Sequence, residues 1–172
     1  MNTYRKTAIT VGVLFIIATV VGVLGKVVFL DPILDAPDYL IKIAANENRV
    51  ILGALLMFFA AIASASIAIW LYPILKKHHG ALALGSVGFR VVEGMLYILG
   101  VVGLLSLLAL SREYVKAGAS SLPLYQVSAT VLLAIKEWAG QLGVIAFTVG
   151  ALMYYSVLYR SKLVPRLISG WG

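Results

Sequence analysis

The residues of this chain that could do chemistry are the few charged side chains within long apolar stretches. Arg90 and Glu93 lie three residues apart in FRVVEGMLY, and on a helix that spacing puts them on one face, where a charge pair can form. Placing a charged side chain in a bilayer costs roughly 2.5–3.5 kcal/mol on insertion scales. We therefore expect the pair to point into a helical bundle or into a wet cavity.

Other polar residues extend this face. Ser86 and Tyr97 share the helical face of Arg90 and Glu93. Polar partners on other apolar stretches are Gln141, Thr148 and Tyr155 at intervals of seven, Thr19 and Lys26 at the same interval, and Ser64 and Ser66. We predict a buried polar site made of Arg90, Glu93, Ser86, Tyr97, Gln141 and Thr148. Two interpretations stay open: a structural ion pair that sets helix register, or a site that handles a ligand, an ion or a proton. Lys26 lies near the end of its stretch and is expected to reach the interface.

No recognisable catalytic or metal-binding pattern accompanies these residues. The chain has no cysteine, which excludes disulfides, thiolate metal sites and cysteine nucleophiles. His78 and His79 are adjacent in the segment KKHHG, and two neighbours in one turn cannot clamp a haem from both sides. The motifs HExxH, GxSxG, GxGxxG and the P-loop are missing. We expect neither enzymatic activity nor a metal or cofactor.

The amino-acid composition indicates the class of protein that contains this charge pair. Of 172 residues, 62% are hydrophobic and 12% are charged, with a mean hydropathy of +1.00. Ordinary soluble domains are about 45–50% apolar and about 25% charged. The composition excludes a soluble globular protein and a disordered chain. It predicts an integral membrane protein.

Four apolar stretches are long enough to cross a hydrocarbon core, which takes roughly 20 helical residues. They cover residues 7–30, 50–75, 81–110 and 139–159. Because these stretches are apolar on all sides rather than alternating, a barrel is disfavoured. The first is also longer than the apolar region of a signal peptide and is expected to be an uncleaved anchor. The predicted fold is all-α, a polytopic transmembrane helical bundle forming one domain over residues 1–172.

Residues 122–138 are ambiguous. Ser121 and Pro123 have the character of a helix start. We predict an interfacial helix that leads into the fourth span; the alternative is a fifth span that ends at Lys136, Glu137 and Trp138.

The positions of the residues behind the net charge of +7 indicate how the chain is oriented in the membrane. With the N-terminus inside, the cytoplasmic segments hold Arg5, Lys6, Lys76, Lys77, Arg160, Lys162 and Arg166 and no acidic residue. The opposite side holds five basic and six acidic residues, which are Lys42, Arg49, Arg112, Lys116, Lys136, Asp31, Asp35, Asp38, Glu47, Glu113 and Glu137. This asymmetry predicts that both termini are cytoplasmic. It makes the lipid bilayer, and not nucleic acid, the expected partner.

Three segments resemble a known family. RKTAITVGVLFIIATVVGVLG, GFRVVEGMLYILG and YRSKLVPRLISG are similar, in order and spacing, to prokaryotic multi-pass membrane proteins of domain of unknown function 4386. The resemblance implies a helical bundle in the cytoplasmic membrane of a bacterium or archaeon, with no established activity. It also implies about two further spans after the segment LVPR. LVPRLISGWG resembles the start of another helix, so we expect a shortened member or a fragment.

The leading functional hypothesis is a membrane protein without enzymatic activity. Its Arg90–Glu93 site would organise the bundle and bind a small ligand, a lipid or an ion. The alternative is an assembly or regulatory subunit that acts through helix contacts, as a homo-oligomer or with a membrane partner protein. Small residues recur at helical spacing on three stretches, which suits either packing within one bundle or dimerisation. They are Ala18, Gly22, Ala60, Ser64, Ala68, Ala139, Gly143, Ala146 and Gly150. No internal repeat supports a transporter.

Overall fold

The structure is a computed structural model that describes residues 3–117 and 122–165. Its helices are α1 (Thr3–Val23), a π-helical segment (Leu24–Leu30), α2 (Asp31–Leu34), α3 (Tyr39–Ala45), α4 (Glu47–Leu75), α5 (Gly80–Lys116) and α6 (Leu122–Ser161). The all-α fold class is confirmed, with no strand among the described residues. Three predictions fall outside the described residues: the helix start at Ser121, the position of Arg166 and the helix beyond Pro165.

Four helical stretches are long and apolar enough to cross a membrane, as predicted. They are Tyr4–Leu34, Glu47–Leu75, Gly80–Lys116 and Leu122–Ser161. The last two contain 37 and 40 residues, which is about 55 and 60 Å of helix. A hydrocarbon core is about 30 Å thick, so both helices are long enough to extend well beyond it.

The predicted boundary between an interfacial helix and the fourth span is not marked by any break. Residues 122–138 are the first half of one continuous helix, α6. Pro123 lies in its first turn, where a missing N–H costs no hydrogen bond. The backbone of α6 at Lys136 lies close to Gly100 and Gly103 of α5. This packing against α5 supports α6 where the polar residues Lys136 and Glu137 interrupt its apolar sequence.

The first span is less regular than its apolar sequence suggests. A π-helical segment of seven residues lies between α1 and α2. The guanidinium of Arg49, at the start of α4, donates a hydrogen bond to the carbonyl oxygen of Val28 in this segment. Lys26 forms an ion pair with Asp31, with 2.8 Å between Nζ and Oδ2. Side chains from outside the apolar stretch therefore support the irregular turn.

The long helices pack in chain order: α1 against α4, α4 against α5, and α5 against α6. Glycines allow close approach at these contacts. Gly25 lies against the backbone of α4 beside Leu56, and Gly143 of α6 faces the ring of Tyr97. Gly150 lies against Phe89 and Arg90 of α5. The last contact brings α6 directly to the predicted charge pair.

The two ends of the bundle differ. The hairpin end contains the turn at residues 76–79, and the cap end contains α2, α3 and the turns beside them. At the cap end, α3 packs against α5, and residues of α2, α3, α4, α5 and α6 contribute to one apolar cluster. Its buried members are Leu30, Ile33, Leu40, Ile43, Val50, Ala54, Leu104, Leu107, Leu108 and Ala129. At the hairpin end a second cluster joins α4, α5 and α6 through Leu75, Ala83, Ala151, Tyr154 and Val157. The predicted charge pair lies between these two clusters.

Candidate functional site

Arg90 and Glu93 form an ion pair inside the bundle. Nη1 of Arg90 lies 3.0 Å from Oε2 of Glu93, and each side chain is only 3% exposed. Arg90 is ten residues into α5, which is about 15 Å from the hairpin end of that helix. If the hairpin end marks one membrane surface, this depth is close to the middle of a 30 Å core.

Ser64 of α4 completes the pair from a second helix. Nη2 of Arg90 donates to the hydroxyl oxygen of Ser64 at 2.6 Å and to its carbonyl oxygen at 3.2 Å. The same hydroxyl group donates to Oε1 of Glu93 at 3.1 Å. One serine hydroxyl thus bridges the two opposite charges, which links α4 to α5 through charge-assisted hydrogen bonds.

Helix α6 supplies an apolar wall for the cation. The ring of Phe147 lies with its centroid 4.6 Å from the guanidinium carbon of Arg90, a cation–π distance. The aliphatic part of Arg90 packs where Gly150 has no side chain. Three helices therefore hold one guanidinium group.

The site leaves part of its hydrogen-bonding capacity unused. Among the described residues, Nε and Nη1 of Arg90 and Oε2 of Glu93 have no hydrogen-bond partner, although all three atoms are buried. The contact between Nη1 and Oε2 is short but badly aligned for a hydrogen bond. Unsatisfied buried groups of this kind are unusual and call for an explanation such as a bound molecule or a functional role.

A lateral groove adjoins the pair. It has a volume of about 440 Å³ and is open to the outside of the bundle. It runs along the first span, from Phe15 of α1 to Val27 of the π-helical segment. This is a distance of about 18 Å at the rise of a helix, with α4 as the floor. The polar residues in its lining are Thr19, Lys26, Ser64, Arg90 and Tyr97, and the rest of the lining is apolar.

The structure brings only some of the predicted site residues together. Tyr97 lines the groove with Arg90, as does Thr19. Ser86 is buried on the same helix, but its hydroxyl donates to the carbonyl oxygen of Ala83 and not to the pair. Ser66 likewise bonds within its own helix, to the carbonyl oxygen of Ile62.

Gln141 and Thr148 lie on the exposed face of α6 and do not join the pair. The hydroxyl of Thr148 donates to the carbonyl oxygen of Val144 in its own helix. The buried face of α6 is instead formed by the small residues Ala139, Gly143, Ala146 and Gly150. On this helix close packing, and not the seven-residue spacing of polar side chains, decides which face is buried.

Phe147 was not among the predicted site residues, and Ser64 was named only as an available partner. Ser64 could have been found, because it lies in the run of small residues by which α4 approaches its neighbours. Nothing in the sequence distinguishes Phe147 from the other exposed aromatic residues of the spans. Its role follows only from the packing of α6 on α5.

Ion pairs elsewhere differ from this one in exposure. At the cap end, Arg112 forms two hydrogen bonds with Glu47, each 2.7 Å long. Both side chains are partly exposed, so this pair adds little to stability. Within residues 3–117 and 122–165, no three His, Asp or Glu side chains are arranged to hold a metal ion.

Comparison with known proteins agrees with the architecture. No curated protein and no solved structure matches the chain significantly. A family model described as Domain of unknown function (DUF4386) matches residues 10–172. Since this match covers nearly the whole chain and the helices suit a membrane family, the chain belongs to the DUF4386 family.

Proposed function

We propose that this protein is a non-enzymatic protein of the prokaryotic cytoplasmic membrane that binds a small amphiphilic molecule in its lateral groove. The observation that carries the proposal is the position of a buried ion pair with unused hydrogen-bonding atoms beside an open, mostly apolar groove. Arg90 belongs both to the pair and to the groove lining. The polar group of the ligand binds at Arg90, Ser64 and Glu93, and its apolar part lies along α1.

The charge balance of the site favours an uncharged polar group. Arg90 and Glu93 together carry no net charge, and they offer unused donors on Nε and Nη1 and an unused acceptor on Oε2. A hydroxyl group can accept from the first and donate to the second. Because the two charges of the pair cancel, an ion in the groove gains no net attraction that would offset the cost of its removal from water.

The groove suits a ligand that arrives from the lipid. Its length of about 18 Å along the first span is close to half the thickness of the hydrocarbon core. Its side is open, so that an alkyl chain enters without passing through water. Phe147 covers the guanidinium and is itself partly exposed, and a rotation of its ring uncovers the polar atoms.

Three probes with the same alkyl chain test the proposal: dodecanol, dodecanoate and dodecylammonium. Binding of radiolabelled dodecanol to the purified protein is measured by scintillation proximity, with the other two as competitors. We expect dodecanol to bind and the charged probes to compete poorly. The double variant Arg90→Leu/Glu93→Leu should bind about tenfold more weakly, which corresponds to the loss of a hydrogen bond to a charged group.

The cap-end pair provides a matched control. Arg112→Leu/Glu47→Leu removes the same two charges from an exposed position and should bind dodecanol as the wild type does. Equal binding by the wild type and Arg90→Leu/Glu93→Leu would contradict the proposal. Failure of all three probes to bind would contradict it as well.

A second candidate function is that of an assembly or regulatory subunit. It is favoured by the exposed apolar residues of α6, which continue to its cap end, where Leu124 is 71% and Val127 is 65% exposed. At about 60 Å, α6 is too long for the hydrocarbon core to cover it entirely if it stands upright. Photo-crosslinking from position 127 in native membranes tests this function. One stoichiometric protein product, a second copy or a partner, supports it; crosslinks to lipid alone oppose it.

A further inference from the structure

The hairpin end holds a small basic pocket that is separate from the groove. It has a volume of about 150 Å³ and lies between the start of α5 and the end of α6. Its lining consists of His78, His79, Leu82, Val157, Arg160 and Ser161. Polar and basic groups thus surround a short apolar floor.

The surroundings of this pocket are uniformly basic. Tyr4 of α1 contacts Lys77, whose Nζ lies 5.2 Å from the ring centroid, so the start of α1 lies at the same end. The basic residues near this end are Arg5, Lys6, Lys76, Lys77, Arg160 and Lys162. Within the described ranges, all acidic residues other than Glu93 belong to the cap half, and Glu93 is deep inside the bundle. No carboxylate in the described part of the chain therefore neutralises the pocket.

The backbone adds to this positive potential. His79 precedes α5 in an extended conformation, and its Nδ1 accepts a hydrogen bond from the backbone N–H of Leu82 at 3.3 Å. The N–H groups of Gly80 and Ala81, in the first turn, have no partner within the helix. A Cβ atom added at Gly80 would have nothing within 4 Å of it, so the helix start is open on that side. A helix start of this kind favours an anion, and here it coincides with the cluster of basic side chains.

We propose that this pocket binds the phosphate group of an anionic phospholipid. The turn at residues 76–79 joins two membrane-spanning helices, so the pocket lies where those helices leave the hydrocarbon core. Phospholipid phosphates lie at the same level, and basic pockets between helices are suited to them. The apolar floor of Leu82 and Val157 contacts the glycerol and the upper acyl chain, which a free phosphate ion does not have.

The test compares two lipids with identical acyl chains, phosphatidylglycerol and phosphatidylcholine, and uses inorganic phosphate as a competitor. Adducts with the detergent-purified, full-length protein are counted by native mass spectrometry. We expect phosphatidylglycerol to bind in preference to phosphatidylcholine. Arg160→Gln should weaken its binding about fivefold, which is the usual effect of one basic residue near a membrane surface. His79→Asn should also weaken it, because asparagine keeps a capping acceptor but has no Nε2–H group to donate to a phosphate oxygen.

Lys116→Gln provides a matched control, since it removes one exposed positive charge at the cap end; we expect wild-type binding. Equal binding of the two lipids would overturn the proposal, as would equal effects of Arg160→Gln and Lys116→Gln. Displacement of the lipid by an equal concentration of inorganic phosphate would show that the pocket serves free phosphate instead. If Arg160→Gln does not fold, the exposed variant His78→Asn takes its place, and wild-type binding by it counts against the proposal.

Discussion

Ser64 joins two helices and two opposite charges through one hydroxyl group. It accepts from Arg90 and donates to Glu93, so Ser64→Ala removes a partner from each. We expect Ser64→Ala to lower the free energy of unfolding by about 1–3 kcal/mol, the cost of leaving a buried polar group unsatisfied. Equilibrium unfolding in mixed detergent measures this change.

Ser66→Ala is the control for that measurement. The hydroxyl of Ser66 bonds only within α4, to the carbonyl oxygen of Ile62. Its removal should leave the stability nearly unchanged. A similar loss in both variants would mean that the bridge across the ion pair does not stabilise the bundle.

Arg90 and Glu93 are expected to depend on each other. Arg90→Leu alone leaves a buried, uncompensated carboxylate and should lower the free energy of unfolding by about 3–5 kcal/mol. Arg90→Leu/Glu93→Leu should lower it much less, because replacing a whole buried pair by apolar residues is often nearly neutral. A double-mutant cycle on unfolding free energies gives the coupling. Additive losses in the two single variants would contradict the close contact between these side chains.

At the scale of the helices, Gly25 controls how closely the first span approaches α4. A Cβ atom at this position would lie 3.2 Å from the carbonyl oxygen of Gly53 and 3.3 Å from the backbone nitrogen of Met57. Since the backbone cannot move aside easily, we expect Gly25→Ala to destabilise the protein by about 1–3 kcal/mol, as overpacking does. Thermal unfolding of the purified protein reports the change.

Gly12 offers the same substitution in the same span without a neighbour, because a Cβ atom added there would have nothing within 4 Å of it. Gly12→Ala should stabilise the helix slightly, by up to about 1 kcal/mol, since alanine is the better helix former. Destabilisation by Gly12→Ala as large as that by Gly25→Ala would show that the effect does not come from the contact with α4.

The four long helices could be predicted from sequence because apolar length alone determines them. The ion pair could also be predicted, since a spacing of three residues places Arg90 and Glu93 together on any helix. The face of α6 that packs inward could not be predicted from Gln141 and Thr148, because it depends on the glycine contacts with α5. The continuity of α6 through residue 138 could not be predicted either. Polar residues mark the end of an apolar stretch in the sequence, but they do not break a helix.

At the scale of the whole molecule, charge is concentrated at one end. The six basic residues near the hairpin end in the described part of the chain have no acidic counterpart there. By the positive-inside rule, we expect the hairpin end to face the cytoplasm. Because the chain contains no cysteine, single variants Lys77→Cys and Lys116→Cys can be labelled with a membrane-impermeant thiol reagent. In intact spheroplasts we expect labelling at position 116 and not at position 77.

Permeabilised spheroplasts supply the control, since both positions should then react. Labelling of position 77 in intact spheroplasts, with protection of position 116, would reverse the proposed orientation. Labelling of both positions would indicate a mixed topology. Neither result would affect the binding experiments on purified protein.

The π-helical segment at Leu24–Leu30 makes the groove sensitive to chain length. A π-helical turn spans one residue more than an α-helical turn, so the deletion of one residue from this segment would restore regular helix. The preceding helix would then rotate by about 100° relative to α4, and Thr19 and Gly22 would turn away from the groove. A family member without that residue would keep its spans, its charges and its ion pair, but not its groove. In an alignment of the family, a one-residue gap at positions 24–30 would therefore identify a member that lacks the groove.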